Sequence, residues 1–533
     1  MKISRLKLKL TNFIVPAFVF GSLTGILTAL VVTLYKFCAH HVIHFSDRGY
    51  HFLSENPVYI PAVLLALLGV AWVFAWVYKT TPNLRGGGIP TSIGILRGIL
   101  SFHWLKNLLG TFFLSMTTFL LGVPLGNEGP SVQMGTAVGR GTVFSFAKKH
   151  RAWDRYSMTG GACAGFATAT GAPISGMLFA VEEAHQRISP MIILVSATSV
   201  MFARITTELL SPVLGVSVRL LPDVEMPVLS VGEIWIPAVV GIVVGLFAVA
   251  FLKCYRKIFG FFTGTLGKIP HVFRIFIIFV LTLAFGLWSF SFVSTGHDLI
   301  VELYDGSIAI GMLLLLLLFR SLLTLSANSN GITGGLFVPI LALGALVGSV
   351  LGKLLLYLPD VGHTQYMVIL VLAITACIAG MMKMPLTAIM FAVEALGCYD
   401  NILYVVTAAA FAYAIPELLD AESINDSVLE RRTKQLVDAT PGKVIDTFVT
   451  VQKNSFAIGK QIRDIFWPAN LFVLSLKHDE TRRAEVDEHG GKEIREGDIL
   501  HVRYSTRDEA QTREELTAIV GEQVYQEKET DII

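Results

Sequence analysis

The sequence predicts a mainly α-helical protein that crosses a membrane many times and ends in a small α+β domain. Three observations predict it. Of the 533 residues, 53% are hydrophobic and only 15% charged, with a mean hydropathy of +0.63, whereas soluble domains carry about 25% charged residues. Apolar stretches of about 20 residues, long enough to span a bilayer, recur from Phe13 to Leu419. The composition then changes near Val437, after which charges crowd in and short β-like runs appear. The formal net charge of +2 gives no reason to expect a nucleic-acid partner.

The first apolar stretch, Phe13 to about Leu34, is too long for the core of a signal peptide and lacks a clean cleavage site. It reads as a retained first helix. Basic clusters flank the spans: MKISRLKLKL at the start, KKHRAWDR from Lys148, KCYRK from Lys253 and ERRTK from Glu430. The positive-inside rule assigns them to the cytoplasmic side. Cys38, Cys163, Cys254, Cys377 and Cys398 lie in or beside apolar segments. An odd number without metal spacing predicts packing residues, not disulfides or a zinc site.

The helical part repeats itself. With Pro130 placed on Pro339, GNEGPSVQMGTAVG (Gly126 to Gly139) lies on GLFVPILALGALVG (Gly335 to Gly348). Gly126, Pro130, Gly135, Val138 and Gly139 then meet identical residues. With Pro173 placed on Pro385, PISGMLFAVEEA lies on PLTAIMFAVEAL, and Glu182 lies on Glu394. The two offsets agree closely, which predicts duplicated halves at roughly 12–210 and 233–436. Repeats with Gly/Pro-interrupted segments at matching places point to a transport site at their interface. Spacing alone leaves open whether the repeat is inverted or parallel.

Both copies carry Gly-x-x-x-Pro before an apolar run, and RGGGIPTSIGILRG from Arg85 supplies a third such point at Pro90. Proline suits the first turn of a helix, and glycine upstream lets the backbone bend. Each segment predicts a helix starting inside the protein, with free N–H groups and a positive dipole end. Such an end binds anions without a full positive charge. Glu128 is the single carboxylate in PLGNEGPSVQMGTAVG, the stretch from Pro124. A lone charge at mid-bilayer costs at least roughly 2.5–3.5 kcal/mol, so function is the first candidate for what offsets it. Deprotonated, Glu128 can occupy the anion's own site; protonated, it lets go.

On these motifs the chain resembles the CLC family of chloride channels and chloride/proton antiporters, over roughly Phe13 to Lys434. The carriers are GGGIP (Gly86–Pro90), GNEGP (Gly126–Pro130) and GGLFVP (Gly334–Pro339), supported by GAPISGMLFAVEEA (Gly171–Ala184) and ESINDSVLERR. The resemblance implies an inverted-repeat helical fold, a homodimer, and a separate anion pathway in each subunit. It implies that Glu128 is the external gating glutamate and Glu183 the internal proton-transfer glutamate. The alternative for Glu183 is a cytoplasm-facing helix-end acid bonded to Arg187 or His185. The resemblance further implies that Gly87, Gly88, Asn127, Gly129, Leu336, Phe337 and Asn425 line the anion site with Glu128, Leu336 and Phe337 through their backbone N–H groups. Two positions depart from the family: its central serine is Gly87 here, and its central tyrosine is Asn425. Both usual side-chain donors are missing, which puts chloride preference and tight proton coupling in question.

The expected function is exchange of chloride, or a similar small anion, for protons. The alternative within the family is a gated anion channel without proton coupling. The segments SFAIGKQIRDI, NLFVLSLKHDE and EIREGDILHVRYS are similar to an RCK-C (TrkA-C-like) regulatory domain. That resemblance implies a cytoplasmic domain over 437–533, after a transport domain over 1–436, and a bacterial cytoplasmic membrane. Nucleotides or cyclic dinucleotides are the ligand class it suggests, with Lys460, Arg463, Lys477, Arg482 and Arg483 as candidate phosphate contacts; no other cofactor is expected. A potassium transporter would need a TVGYG-like filter, and the hydrolase motifs HExxH and GxSxG do not occur, so no enzyme is expected.

Overall fold

The computed structural model describes residues 10–86, 88–222, 226–357, 365–437, 443–478, 490–506 and 508–523. Among them, eight helices are long and apolar enough to cross a membrane. The first, α1 (Val15–Glu55), has 41 residues and so runs roughly 60 Å. That is about twice the hydrocarbon thickness of a bilayer. It is followed by α2 (Ile60–Thr80), the short α3 (Ile89–Leu96), α4 (Trp104–Leu120), α5 (Glu128–Phe146), α6 (Asp154–Thr170) and the short α7 (Pro173–Phe179). A π-turn over Ala180–Ala184 leads toward α8 (Pro190–Leu214).

The second half runs α9 (Trp235–Thr263), α10 (His271–Trp288), the short α11 (His297–Glu302), α12 (Ile310–Ser329), α13 (Phe337–Leu355), α14 (Gln365–Met382), α15 (Pro385–Leu396), α16 (Ile402–Leu418) and α17 (Ile424–Val437). The repeat is visible in the helix starts. Helices α5 and α13 both have 19 residues and begin at equivalent positions, Glu128 and Phe337. Helices α7 and α15 begin at the paired prolines Pro173 and Pro385.

Helices α5 and α6 are too rich in Gly, Ser and Thr to count as spans by composition, yet they are almost wholly buried. Their small residues explain the close approach. A methyl group on Gly135 would collide with the Gly161 carbonyl, and one on Gly161 with that of Gly135. Backbones packed through small residues gain van der Waals contact that bulky side chains would prevent.

After α17 come three strands, β1 (Lys443–Thr450), β2 (Leu471–Lys477) and β3 (Ile499–Thr506), in the antiparallel order β1-β3-β2. Lys443 pairs with Thr506 and Thr450 with Ile499, while Leu471 pairs with Tyr504 across an irregularity between Val473 and Ser475. Leu500, Val502 and Tyr504 alternate inward along β3, the period expected of a half-buried strand. Helix α18 (Glu509–Val520) covers them with Leu516, Ile519 and Val520. This small unit has its own apolar cluster, distinct from that of the membrane helices.

Candidate functional site

Three helix starts meet at one point. A methyl group added to Gly88, ahead of α3, would lie 2.8 Å from the Cα of Gly129; one on Gly129 would lie 2.6 Å from the Cα of Gly335. Gly88 has φ +110°, a conformation side chains rarely allow. Gly126 and Gly335, equivalent in the two repeats, exchange both backbone hydrogen bonds, at 2.7 and 2.8 Å. That reciprocal pair ties the start of α5 to the start of α13. The N–H groups of each first turn are left without intrahelical partners, so the junction concentrates donors.

Glu128 sits in this junction and is fully buried. Its carboxylate faces the backbone N–H groups of its own residue and of Val338, in the first turn of α13. The Asn127 amide, turned so that its nitrogen finds an acceptor, donates to the same carboxylate at 2.5 and 3.2 Å. Lys36 and His297 are the basic side chains that face it. Lys36 is itself buried on α1 and donates to the carbonyls of Thr168 and Ser217. A cavity of about 340 Å³ lined by Lys36, His40, His44, Asn127, His297 and Val338 opens onto this side of the junction.

Leu336 and Phe337 are buried at the start of α13. The Phe337 ring packs edge-on against Phe166 and Phe391, at 5.1 and 5.3 Å between centroids, which fixes the N-terminal turn. Gly87 lies outside the described residues, so the serine-position departure has no geometry here.

Glu183 lies on the π-turn after α7 and is 2% exposed. Neither Arg187 nor His185 is bonded to its carboxylate: Arg187 donates to the carbonyls of Arg463 and Ile465, and His185 faces Thr159. Asn425 Nδ2 instead donates to Glu183 Oε1 at 3.0 Å. The structure therefore brings Asn425 to Glu183. Arg97 holds the turn by donating to the carbonyls of Glu183 and Ala184 at 2.9 and 3.1 Å, and pairs with Asp426 at 3.4 Å. A cavity of about 300 Å³ lined by Arg97, Asp426, Glu430 and others lies beside it. Neighbours of Glu128 (Lys36, Asn127, His297, Val338) and neighbours of Glu183 (Arg97, Asp426) thus line different cavities.

Sequence reasoning missed two residues. Gln133, fully buried on α5, accepts the Gly88 N–H at 2.5 Å through Oε1 and donates to Asn83 O and Asn107 Oδ1. Arg432 on α17 donates to the Arg85 carbonyl and the Thr91 hydroxyl, gripping both sides of the glycine loop. A polar residue inside an otherwise small and apolar helix was the available signal for Gln133; Arg432 reads as one more membrane-flanking cation. No cluster of His, Cys, Asp and Glu among the described residues could hold a metal.

The family described as "Voltage gated chloride channel" matches residues 70–417. The H(+)/Cl(-) exchange transporter ClcA of Vibrio cholerae serotype O1 (strain M66-2) is 28% identical over 430 residues, covering 77% of this chain and 88% of that protein. ClcA of Cronobacter sakazakii (strain ATCC BAA-894) is 27% identical over 437 residues, covering 77% and 88%. In three dimensions the chain resembles a slow cyanobacterial Cl-/H+ antiporter, with TM-score 0.72 and 23% identity over 79% of this chain and 98% of that one. It also resembles a CLC-type fluoride/proton antiporter, with TM-score 0.63 and 21% identity over 75% and 95%. The multi-pass helical fold is therefore that of the CLC transporters, and this chain belongs to the voltage-gated chloride channel family.

Proposed function

We propose that the chain exchanges chloride, or a similar small anion, for protons across a membrane. The observation that carries this reading is the Glu128 carboxylate on the first turn of α13, at the junction of the two repeats. A carboxylate facing the N–H groups of a helix start marks a place where another anion can be held. Protonation removes its charge, weakens those bonds and frees the donors. Anion entry and proton uptake are then linked at one group. The anion contacts are the backbone at Gly87, Gly88, Asn127, Gly129, Leu336 and Phe337. Weak binding at several points suits passage, because the ion must also leave. Glu183 serves as the second proton station, beside the other cavity. The relatives named as H(+)/Cl(-) exchange transporters support the exchange reading.

The test is flux from liposomes holding the purified chain, with chloride and pH electrodes read together. An imposed chloride gradient should drive protons uphill. Glu128→Gln and Glu183→Gln should each abolish that proton movement. Chloride flux with no proton movement would make the chain a channel instead.

The C-terminal unit we read as an RCK-C-like regulatory domain, over 437–533, on the cytoplasmic side of a bacterial inner membrane. Its placement against the basic segment after α5 supports that side: Arg151 pairs with Glu514, and Arg155 donates to the Trp467 carbonyl. Lys460 does not offer itself to a phosphate. It is buried, donates to the Phe456 carbonyl and lies 3.7 Å from the Phe456 ring centroid. Arg482 and Arg483 lie outside the described residues. Two copies pair, in this reading, through the apolar side chains exposed on α7, α8, α15 and α16, among them Ile174, Leu209, Leu386 and Leu403.

A further inference from the structure

We infer that Asn425 is a positioning residue for Glu183 on the proton branch and not a ligand of the anion; this rests on the antiport reading above. The geometry is specific. Asn425 is 1% exposed and Glu183 2% exposed, and the bond between them spans 3.0 Å. Among the described residues it is the one hydrogen bond to the Glu183 carboxylate. The neighbouring charged groups are otherwise engaged. Arg97 is committed to the carbonyls of Glu183 and Ala184 and to Asp426. Glu182 points away, onto the N–H groups of Leu386 and Thr387. Asp426 is tied to Ser423, whose hydroxyl in turn accepts the Asp426 N–H. That last pair fixes the start of α17 and with it the Asn425 side chain.

Chemistry explains why an amide suits this place. A buried carboxyl that must cycle between two protonation states needs a partner in both. An amide supplies one: its N–H donates to the carboxylate, and after a flip its carbonyl accepts from the protonated acid. An apolar side chain would satisfy neither state and leave a buried polar group unpaired. Asn425 therefore keeps Glu183 chargeable and aimed. The residue at the family's tyrosine position has moved, in this chain, from the anion to the proton.

The full chain in liposomes and in detergent tests this. Asn425→Leu should lower the ratio of protons to chloride moved by about tenfold, the scale of a lost hydrogen bond to a charged group, with chloride preference over nitrate unchanged. Asn425→Gln, which keeps the amide, should restore part of the ratio. Infrared titration in detergent does not depend on transport. The carbonyl band of protonated Glu183, assigned by its loss in Glu183→Gln, should shift in Asn425→Leu, and its midpoint should move up by about one pH unit. An unmoved band, or an unchanged ratio with altered chloride–nitrate preference, overturns the inference and returns Asn425 to the anion site. Should the unmodified chain move no protons at all, antiport fails, and the infrared shift still decides whether Asn425 positions Glu183.

Discussion

Gln133 answers a problem that Gly88 creates. The Gly88 N–H is turned inward where no helix partner exists, and a buried unpaired donor costs as much as a lost hydrogen bond. Gln133 accepts it and hands its own amide hydrogens to Asn83 and Asn107. Gln133→Leu should therefore cost about 1–3 kcal/mol, read as a lower thermal midpoint in detergent. The place of Glu128 at an interrupted helix start was legible from sequence because glycines and Pro130 surround it in an apolar run. Gln133 was not, since its meaning depends on α3 meeting α5, which no local pattern states. Lys460 gives a pH-dependent case in the C-terminal unit. Burial pushes its ammonium down to about 7, so the unfolded chain binds the proton more tightly than the folded one. Stability of this unit should rise as pH climbs from about 7 toward the ordinary lysine value of about 10.4. Lys460→Met should flatten that rise, measured by urea unfolding of the full chain followed at Trp467.

At the scale of elements, the repeat is expressed as an exchange of carboxylates. Glu394 on α15 accepts the N–H groups of Ile174 and Ser175 at the start of α7, with the Ser175 hydroxyl. Glu182, after α7, accepts those of Leu386 and Thr387 at the start of α15, with the Thr387 hydroxyl. Each acid sits where a helix dipole favours negative charge. The alignment of Glu182 with Glu394 foretold equivalent roles, and the matched prolines foretold where both helices begin. The crossing itself was hidden, because equal spacing says which residues correspond and not which ones touch. Glu182→Ala and Glu394→Ala should each cost about 1–2 kcal/mol, the size of a lost N-terminal cap. Nearly equal losses in thermal stability are expected; a large inequality would show that the two halves no longer share this burden.

Across the whole molecule, the C-terminal unit bears on the segment that carries Glu183. Phe466 lies between two guanidinium groups, 5.0 Å from Arg155 and 4.8 Å from Arg187, and 4.5 Å from the His185 ring. Tyr156 accepts the Phe466 N–H and donates to the Asp464 carbonyl, while Ser189 donates to the Asp464 carboxylate. Arg155 also donates to Leu96, the last residue of α3. One loop thus contacts the turn behind Glu183 and, through Arg155, is linked to the far end of α3. The sequence marked the change of composition and the short β-like runs after it, but this contact joins residues roughly 300 positions apart, and nothing local in either partner announces it. If the contact restrains the turn, Phe466→Ala removes a buried ring and two cation–π contacts, each worth about 0.5–2 kcal/mol. Amide hydrogen exchange over residues 180–189 should then quicken by about tenfold or more, the factor that goes with roughly 1.4 kcal/mol of easier opening. Exchange over α13, which the loop does not touch, should stay as it was. Equal exchange at 180–189 in both proteins would show that the C-terminal unit merely rests against the membrane helices, with no hold on the proton branch.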